Sequence, residues 1–121
     1  MTDGGSVESL LDILELIDRI QRQTSGLGRE SFLLDADVQD ATAYRILAIG
    51  EASRDLSDDL KARHPDVPWR DILAMRNLLA HEYFVRESDI IWETVRLGLP
   101  ELGRVCRSEL KRLGWTGAPS S

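Results

Sequence analysis

The sequence predicts an all-α fold, an antiparallel bundle of long helices joined by short loops. Apolar residues recur at helical spacing along most of the chain, no segment shows the strict alternation of a strand, and glycine and proline cluster between the periodic segments. With 121 residues, 42% of them hydrophobic, the chain is long enough for one domain with its own core. We expect a helical domain over residues 6–113, a disordered start over 1–5 and a flexible tail over 114–121.

The first half of the chain contains two predicted long helices. Ser6 is the expected N-cap of the first, and the loss of apolar periodicity over residues 21–28 marks its end. Asp35 or Asp37 is expected to cap the second helix, whose spacing continues over residues 38–60. An interior glycine, Gly50, costs about 1 kcal/mol relative to alanine, so we expect another helix to pack closely against it.

The second half follows the same pattern with more interruptions. Two prolines mark a loop before a helix predicted over residues 69–83. Ser88 is expected to cap the next segment, which Gly98 and Pro100 interrupt, and helix is predicted again over residues 101–113.

Composition restricts the class of protein. Fifteen basic and 21 acidic residues give a net charge of −6. This argues against nucleic-acid binding through the electrostatic field of the whole protein, although a negative net charge is compatible with a local basic patch. The single cysteine, Cys106, excludes an intramolecular disulfide and a multi-cysteine zinc site. The first residues lack a signal-peptide pattern, and no stretch approaches the roughly 20 apolar residues of a membrane span. We expect a cytoplasmic protein that needs no metal or other cofactor and binds no membrane.

One segment, residues 75–84, concentrates reactive side chains. On a helical wheel Asn77 lies about 100° from Arg76 and His81 about 140°, whereas Tyr83 returns to within about 20° of Arg76. Asn77 and His81 are therefore i, i+4 neighbours, and we expect Asn77 to support His81. Arg76 and His81 do not share one line, so a second subunit is the favoured way to complete a site that uses both.

An arginine and a histidine in this arrangement suit cleavage of RNA by its own 2′-hydroxyl. The Arg76 guanidinium matches phosphate oxygens, and His81 titrates near neutral pH and can move a proton. Such chemistry needs no metal. On spacing alone, however, Arg76 is equally an ordinary ion-pair partner and His81 a C-terminal helix cap.

Other candidates have ordinary alternatives. Glu51 either orients Arg76 or His81 or is a solvated charge. His64 is expected at a helix end and Cys106 as a small apolar packing group, although a Cys106–His81 nucleophilic pair is conceivable. Trp69 and Trp92 are better interpreted as core or dimer anchors than as base-stacking platforms.

The spacing of Arg76, His81 and Tyr83 (Arg, four residues, His, one residue, Tyr) resembles the signature of the HepT-like ribonuclease toxins. These belong to the HEPN superfamily, the nucleotide-binding helical domains of higher eukaryotes and prokaryotes. The resemblance extends beyond the motif, to about residues 6–113. The segments that carry it are IGEA at 49–52, PDVPWR at 65–70, IIWETV at 90–95 and LPEL at 99–102.

The resemblance implies an up-and-down bundle of four or five helices that forms a homodimer in which the catalytic helices meet. It implies a metal-independent endoribonuclease that leaves 2′,3′-cyclic phosphate ends, with Arg76 and His81 as catalytic residues and Asn77 and Glu51 in support. The implied partner is an MntA-like nucleotidyltransferase antitoxin, which transfers AMP to Tyr83 and thereby blocks the RNA cleft.

Two alternatives remain open at this point. The chain is a toxin of a toxin–antitoxin pair, or it is a non-catalytic HEPN binding module that docks a nucleotidyltransferase or a nucleotide. A purely structural bundle is the third reading. If the chain is a ribonuclease, its negative net charge opposes RNA binding. Arg70, Arg76 and Arg86 would then have to lie together in the dimer cleft to attract RNA.

Overall fold

The computed structural model describes residues 3–81 and 88–115, and only the backbone of residues 3–6, 79, 81 and 88 within them. The predicted all-α class is confirmed: no described residue belongs to a strand. In chain order the helices are α1 (Asp3–Thr24), α2 (Arg29–Leu33), α3 (Ala36–Arg54), α4 (Asp58–Arg63), α5 (Trp69–His81), α6 (Ser88–Glu93) and α7 (Leu99–Arg112). A π-helical turn, Thr94–Gly98, joins α6 to α7.

The long helices run antiparallel to their neighbours. Arg45, in the middle of α3, donates to the side chain of Gln23 near the end of α1 at 2.9 Å, whereas the later residues 48–55 line one groove with the earlier residues 12–19 of α1, so the two helices run in opposite directions. Gly103 of α7 lies next to Ile17 of α1, and α5 packs chiefly against α3. The result is an up-and-down bundle in which α1 is central, with α3 and α7 packed against it.

The core is formed where α1, α3 and α7 meet. Its largest fully buried members include Leu10, Ile13 and Ile20 of α1 and Leu102 and Leu110 of α7. The short helix α2 contributes Phe32, whose ring lies 5.1 Å from that of Trp92 in α6. Trp92 is therefore a core residue, as predicted, whereas Trp69 is only half-buried.

Capping decides where the helices of the first half begin and end. The Asp35 carboxylate accepts the backbone N–H of Val38 at 3.1 Å, which confirms Asp35 as the cap of α3. The single helix predicted over residues 38–60 is wrong. It ends at Arg54, because Ser57 accepts the N–H of Leu60 at 3.1 Å and begins a new helix, α4. The apolar periodicity continued because Leu56 within the break and Leu60 after it are both buried.

Two expected boundaries are corrected. Ser6 does not cap the first helix, because α1 begins at Asp3. Gly98 and Pro100 do not interrupt the last helical region: Gly98 is helical (φ −74°, ψ −43°), and the chain passes through the π-helical turn directly into α7. Pro100 is tolerated because it lies in the first turn of α7, where its missing N–H would have no intrahelical partner.

No helix in the part of the chain that the structure describes is long and apolar enough to cross a bilayer.

Candidate functional site

The helix that carries the predicted site, α5, is fastened at its N-terminal end. The indole N–H of Trp69 donates to two backbone oxygens, of Lys61 at 3.2 Å and of His64 at 3.0 Å. Both oxygens lie at the end of α4, so α4 and the loop after it fix the position at which α5 begins. The rest of α5 packs against α3.

Close approach of α3 and α5 is possible because residue 50 is glycine. A Cβ atom at Gly50 would lie 2.4 Å from Cβ and 2.8 Å from Cγ of Arg76, far inside contact distance. This confirms the expected close packing of a helix against Gly50. The side chain that packs against Gly50 is that of Arg76, the predicted catalytic arginine, which extends from α5 across the surface of α3.

The guanidinium of Arg76 is held on two sides. Its Nε donates to Glu51 Oε2 at 2.7 Å, and Nη2 donates to the same carboxylate oxygen. Its Nη1 donates to Oδ1 of Asn77 at 2.8 Å. The Arg76 side chain is 21% exposed against 44% for Glu51, so the cation is the more buried member of the pair. Glu51 also lies 3.5 Å from the guanidinium of Arg54, one turn further along α3.

These contacts decide between the two interpretations of Glu51 and give Asn77 a partner. Glu51 is not a free solvated charge, because it binds Arg76. Asn77 lies against Arg76, its neighbour in sequence, through its carbonyl oxygen. The expected support of His81 by Asn77 stays a prediction, because the side chain of His81 lies outside the described residues. Tyr83 and Arg86 also lie outside them, within residues 82–87.

The arrangement leaves Arg76 able to bind an anion. A guanidinium has five N–H groups, and three are used by Glu51 and Asn77. The other two have no partner among the described residues and can bind an oxyanion, on a cation whose orientation is already fixed. His81 is the last residue of α5 that the structure describes, about 7.5 Å further along the helix axis than Arg76.

The other candidate nucleophile and base are structural groups. Cys106 is fully buried, and desolvation raises the pKa of its thiol to about 12, so the reactive thiolate is absent near neutral pH. His64 caps the end of α4, as expected, and its Nε2 lies 2.6 Å from Oε2 of the buried Glu109. The described residues contain no group of three or more His, Cys, Asp or Glu side chains placed to hold a metal ion.

Two grooves adjoin α5. The larger, about 670 Å³, lies between α5 and the α6–α7 region, and its walls are mostly apolar. The smaller, about 200 Å³, lies between α3, α4 and the N-terminal half of α5 and includes Gly50. Sequence reasoning missed this smaller groove. The available signal was Ser53, which follows Gly50 by three residues and therefore lies on the same face of α3.

Comparison with known proteins gives one consistent result. The family model described as "Ribonuclease HepT-like" matches residues 13–109. A protein of Thermococcus cleftensis named "Probable ribonuclease HepT" is 39% identical over 93 residues, which cover 77% of this chain and 84% of the relative. A protein of Caldanaerobacter subterraneus subsp. tengcongensis named "Putative RNase" is 33% identical over 100 residues, covering 83% of this chain and 89% of the relative. No solved structure matches significantly.

Proposed function

The chain belongs to the HepT-like ribonuclease family, and from that premise we propose that it is the toxin of a toxin–antitoxin pair that cleaves RNA without a metal ion. Arg76 binds the scissile phosphate and His81 transfers protons. The observation that carries the proposal is the fixed guanidinium of Arg76, which has two N–H groups without a partner among the described residues and lies on the helix that includes His81.

The proposed reaction is transfer of the phosphodiester to the neighbouring 2′-oxygen. A base removes the proton of the 2′-hydroxyl, and the oxygen attacks phosphorus. The bond to the 5′-oxygen breaks, and an acid protonates that leaving oxygen, so the products are a 2′,3′-cyclic phosphate and a 5′-hydroxyl. Arg76 stabilises the extra negative charge on the phosphoryl oxygens, and His81 would take the proton of the 2′-hydroxyl and then return it to the leaving oxygen.

A homodimer is supported by the exposure of α5. None of the α5 side chains that the structure describes is buried, although seven of them are apolar. Ile90 and Leu97, which line the larger groove beside α5, are 47% and 69% exposed. A second copy of the chain would cover this apolar surface and bring two α5 helices together.

Neutralisation by a nucleotidyltransferase that adds AMP to Tyr83 is the second part of the proposal. On a continued helix Tyr83 would lie within about 20° of Arg76 on the wheel. An AMP group there would bring a phosphate next to the guanidinium, so that it would compete with RNA for the same cation and also fill the cleft.

The test of catalysis is RNA digestion in the presence of EDTA. Wild type is expected to cleave and to leave 2′,3′-cyclic phosphate ends, whereas Arg76→Ala and His81→Ala are expected to lose cleavage by at least about a hundredfold. Arg107→Ala, which removes an exposed arginine of α7, is the matched control and should retain activity. Full cleavage by either site variant would remove that residue from the mechanism. Absence of cleavage by the wild type would favour the binding-module alternative.

The test of neutralisation is the mass of the protein after incubation with the neighbouring nucleotidyltransferase and ATP. We expect a gain of one or more AMP units and loss of ribonuclease activity. Tyr83→Phe should gain no mass, whereas Tyr44→Phe, which alters the exposed tyrosine of α3, should gain the same mass as wild type. An unchanged gain in Tyr83→Phe would place the modification elsewhere.

A further inference from the structure

The smaller groove beside α5 has the composition of an anion site. We call it the Ser53 groove. It lies between the C-terminal end of α3, helix α4 and the first turns of α5. Its lining residues are Gly50, Ser53, Arg54, Lys61, Trp69, Arg70, Ile72 and Leu73. Three of these are cations and none is acidic, in a chain whose net charge is −6.

Two of the three cations have unused charge. Lys61 and Arg70 form no ion pair with any residue in the described ranges 3–81 and 88–115. Arg54 is engaged only at 3.5 Å, with the carboxylate of Glu51 that also binds Arg76. Two positive side chains from different helices therefore face one concavity without a compensating carboxylate on its walls. An anionic ligand would supply the missing negative charge.

A buried hydroxyl lies in the same groove without a partner. Ser53 is 5% exposed, and its Oγ makes no hydrogen bond with any described residue. Buried polar atoms almost always have a partner, so an exception at the wall of a groove indicates a group that the free protein lacks. A hydroxyl can donate to a phosphate oxygen, and such contacts are common in nucleic-acid complexes.

We propose that the Ser53 groove binds a phosphate of the RNA strand next to the scissile linkage. Lys61 and Arg70 would neutralise it and Ser53 would donate a hydrogen bond to it. This inference rests on the proposed ribonuclease function. Gly50 belongs to the groove and also contacts Arg76, so the two sites are continuous.

The spacing fits a strand that lies along α5. Arg70 precedes Arg76 by six residues, about 9 Å along the helix axis. Stacked nucleotides advance about 3.4 Å each, so the two arginines would contact phosphates two or three nucleotides apart. Because the Ser53 groove lies on the N-terminal side of Arg76 along α5, it would hold the strand on one side of the scissile phosphate.

The first experiment measures binding of a fully 2′-O-methylated oligoribonucleotide, which lacks the attacking hydroxyl, over a range of salt concentrations. Arg70→Gln and Lys61→Gln should each weaken binding several-fold and reduce the slope of log affinity against log salt by about 0.7, the value for one phosphate contact on a single strand. Arg107→Gln and Lys111→Gln, which remove one charge each from exposed positions on α7, are the matched controls and should leave the slope unchanged.

The second experiment separates the hydroxyl from charge effects. Ser53→Ala should weaken RNA binding without changing the salt slope, and it should not lower the melting temperature of the free protein, because the hydroxyl it removes has no partner. Thr42→Val is the control: Thr42 has an equally buried and unpartnered hydroxyl but does not line the Ser53 groove, so RNA affinity should not change.

The outcomes distinguish this inference from the proposed function. If wild type binds and cleaves RNA but the groove variants match their controls, the groove proposal is overturned and the ribonuclease stands. If affinity depends on Lys61, Arg70 and Ser53 but no cleavage occurs, the groove stands and the catalytic proposal fails.

Titration with inorganic phosphate distinguishes the source of the ligand. Variants that lose affinity for free phosphate but not for RNA would overturn the assignment to the strand.

Discussion

A single carboxylate organises the candidate site at the scale of residues. Glu51 accepts two N–H groups of Arg76 through one oxygen and lies close to Arg54 through the other. It fixes the direction of the guanidinium and reduces its net charge before any ligand arrives. On the proposed function, a phosphate would bind to an arginine that is already oriented, so little side-chain entropy would be lost when the complex forms.

Removing the Glu51 carboxylate is expected to affect turnover more than binding. In Glu51→Ala the Arg76 guanidinium keeps its charge but loses its orientation, so we expect kcat for RNA cleavage to fall about ten- to a hundredfold with a smaller change in KM. Glu51→Gln should be affected less, because its amide oxygen can still accept from Nε of Arg76.

The control for this prediction is Glu15→Ala, which removes the carboxylate of an exposed pair with Arg19 on α1 and should leave kcat unchanged. Equal rates for Glu51→Ala and wild type would mean that Arg76 needs no orientation by this group. A rise in kcat would mean that Glu51 restrains the free enzyme by competing with the phosphate.

The types of residue in the site were predictable, but their partners were not. Helical spacing placed Asn77 beside His81, yet its carbonyl oxygen accepts from the adjacent Arg76. A wheel describes directions from one helix axis and ignores side-chain length, so a long arginine that folds back to its neighbour is invisible to it. Whether Glu51 binds Arg76 or is solvated depends on how α5 packs on α3. The spacing of apolar residues within one helix does not predict that packing.

At the scale of elements, the contact between α3 and α5 depends on the missing side chain of Gly50. Alanine is ordinarily the better helix former, but in Gly50→Ala the new Cβ would overlap Arg76 and force the helices apart. We expect the free energy of unfolding in urea to fall by about 1–3 kcal/mol.

Gly98→Ala is the matched control for Gly50→Ala. Gly98 is also helical, and an added Cβ would meet its nearest atom, Cγ2 of Thr94, at an ordinary 3.8 Å. This variant should be neutral or more stable by about 0.5–1 kcal/mol. A Gly50→Ala protein as stable as Gly98→Ala would show that α3 and α5 separate at no cost, and the tight seating of Arg76 would lose its support.

Element boundaries show what apolar spacing can and cannot predict. The long helices were predictable because each buries a continuous face. The break between α3 and α4 was not, because the turn at Asp55–Ser57 preserves the burial of Leu56 and Leu60 and so keeps the pattern intact. Only the capping hydroxyl of Ser57 indicated it, and serine is also common inside helices.

At the scale of the whole molecule, Glu109 connects α7 to α4. Its carboxylate is 3% exposed and accepts from Arg63 Nη2 at 2.7 Å, with His64 on its other oxygen. The Arg63 hydrogen bonds lower the pKa of Glu109 most, burial raises it by less, and His64 lowers it further, so the net value lies below the ordinary 4.5. A depressed pKa contributes stability above that value, and the contribution is lost as pH falls below it.

We therefore expect the free energy of unfolding to fall as pH drops from about 4.5 toward 3, and Glu109→Gln to flatten this part of the profile. At neutral pH, Glu109→Gln should already cost about 1–3 kcal/mol, because charge-assisted hydrogen bonds become neutral ones. Urea unfolding at several pH values measures both effects. Glu15→Gln, at an exposed position, should keep the wild-type profile, and a Glu109→Gln profile parallel to wild type would contradict the linkage.

Assembly of two chains is the last part of the proposed function, because a helical wheel separates positions 76 and 81 by about 140°. If the site takes Arg76 from one protomer and His81 from its partner, two inactive variants should complement each other. Random exchange of Arg76→Ala with His81→Ala makes half of the dimers mixed, each with one intact site of two, so activity should return to about a quarter of wild type.

Leu97→Glu, on the exposed apolar surface beside α5, should abolish dimers in sedimentation, whereas Leu34→Glu, at an 86% exposed position outside that surface, should not. Dimers that form while mixing restores nothing would place both groups of each site on one chain.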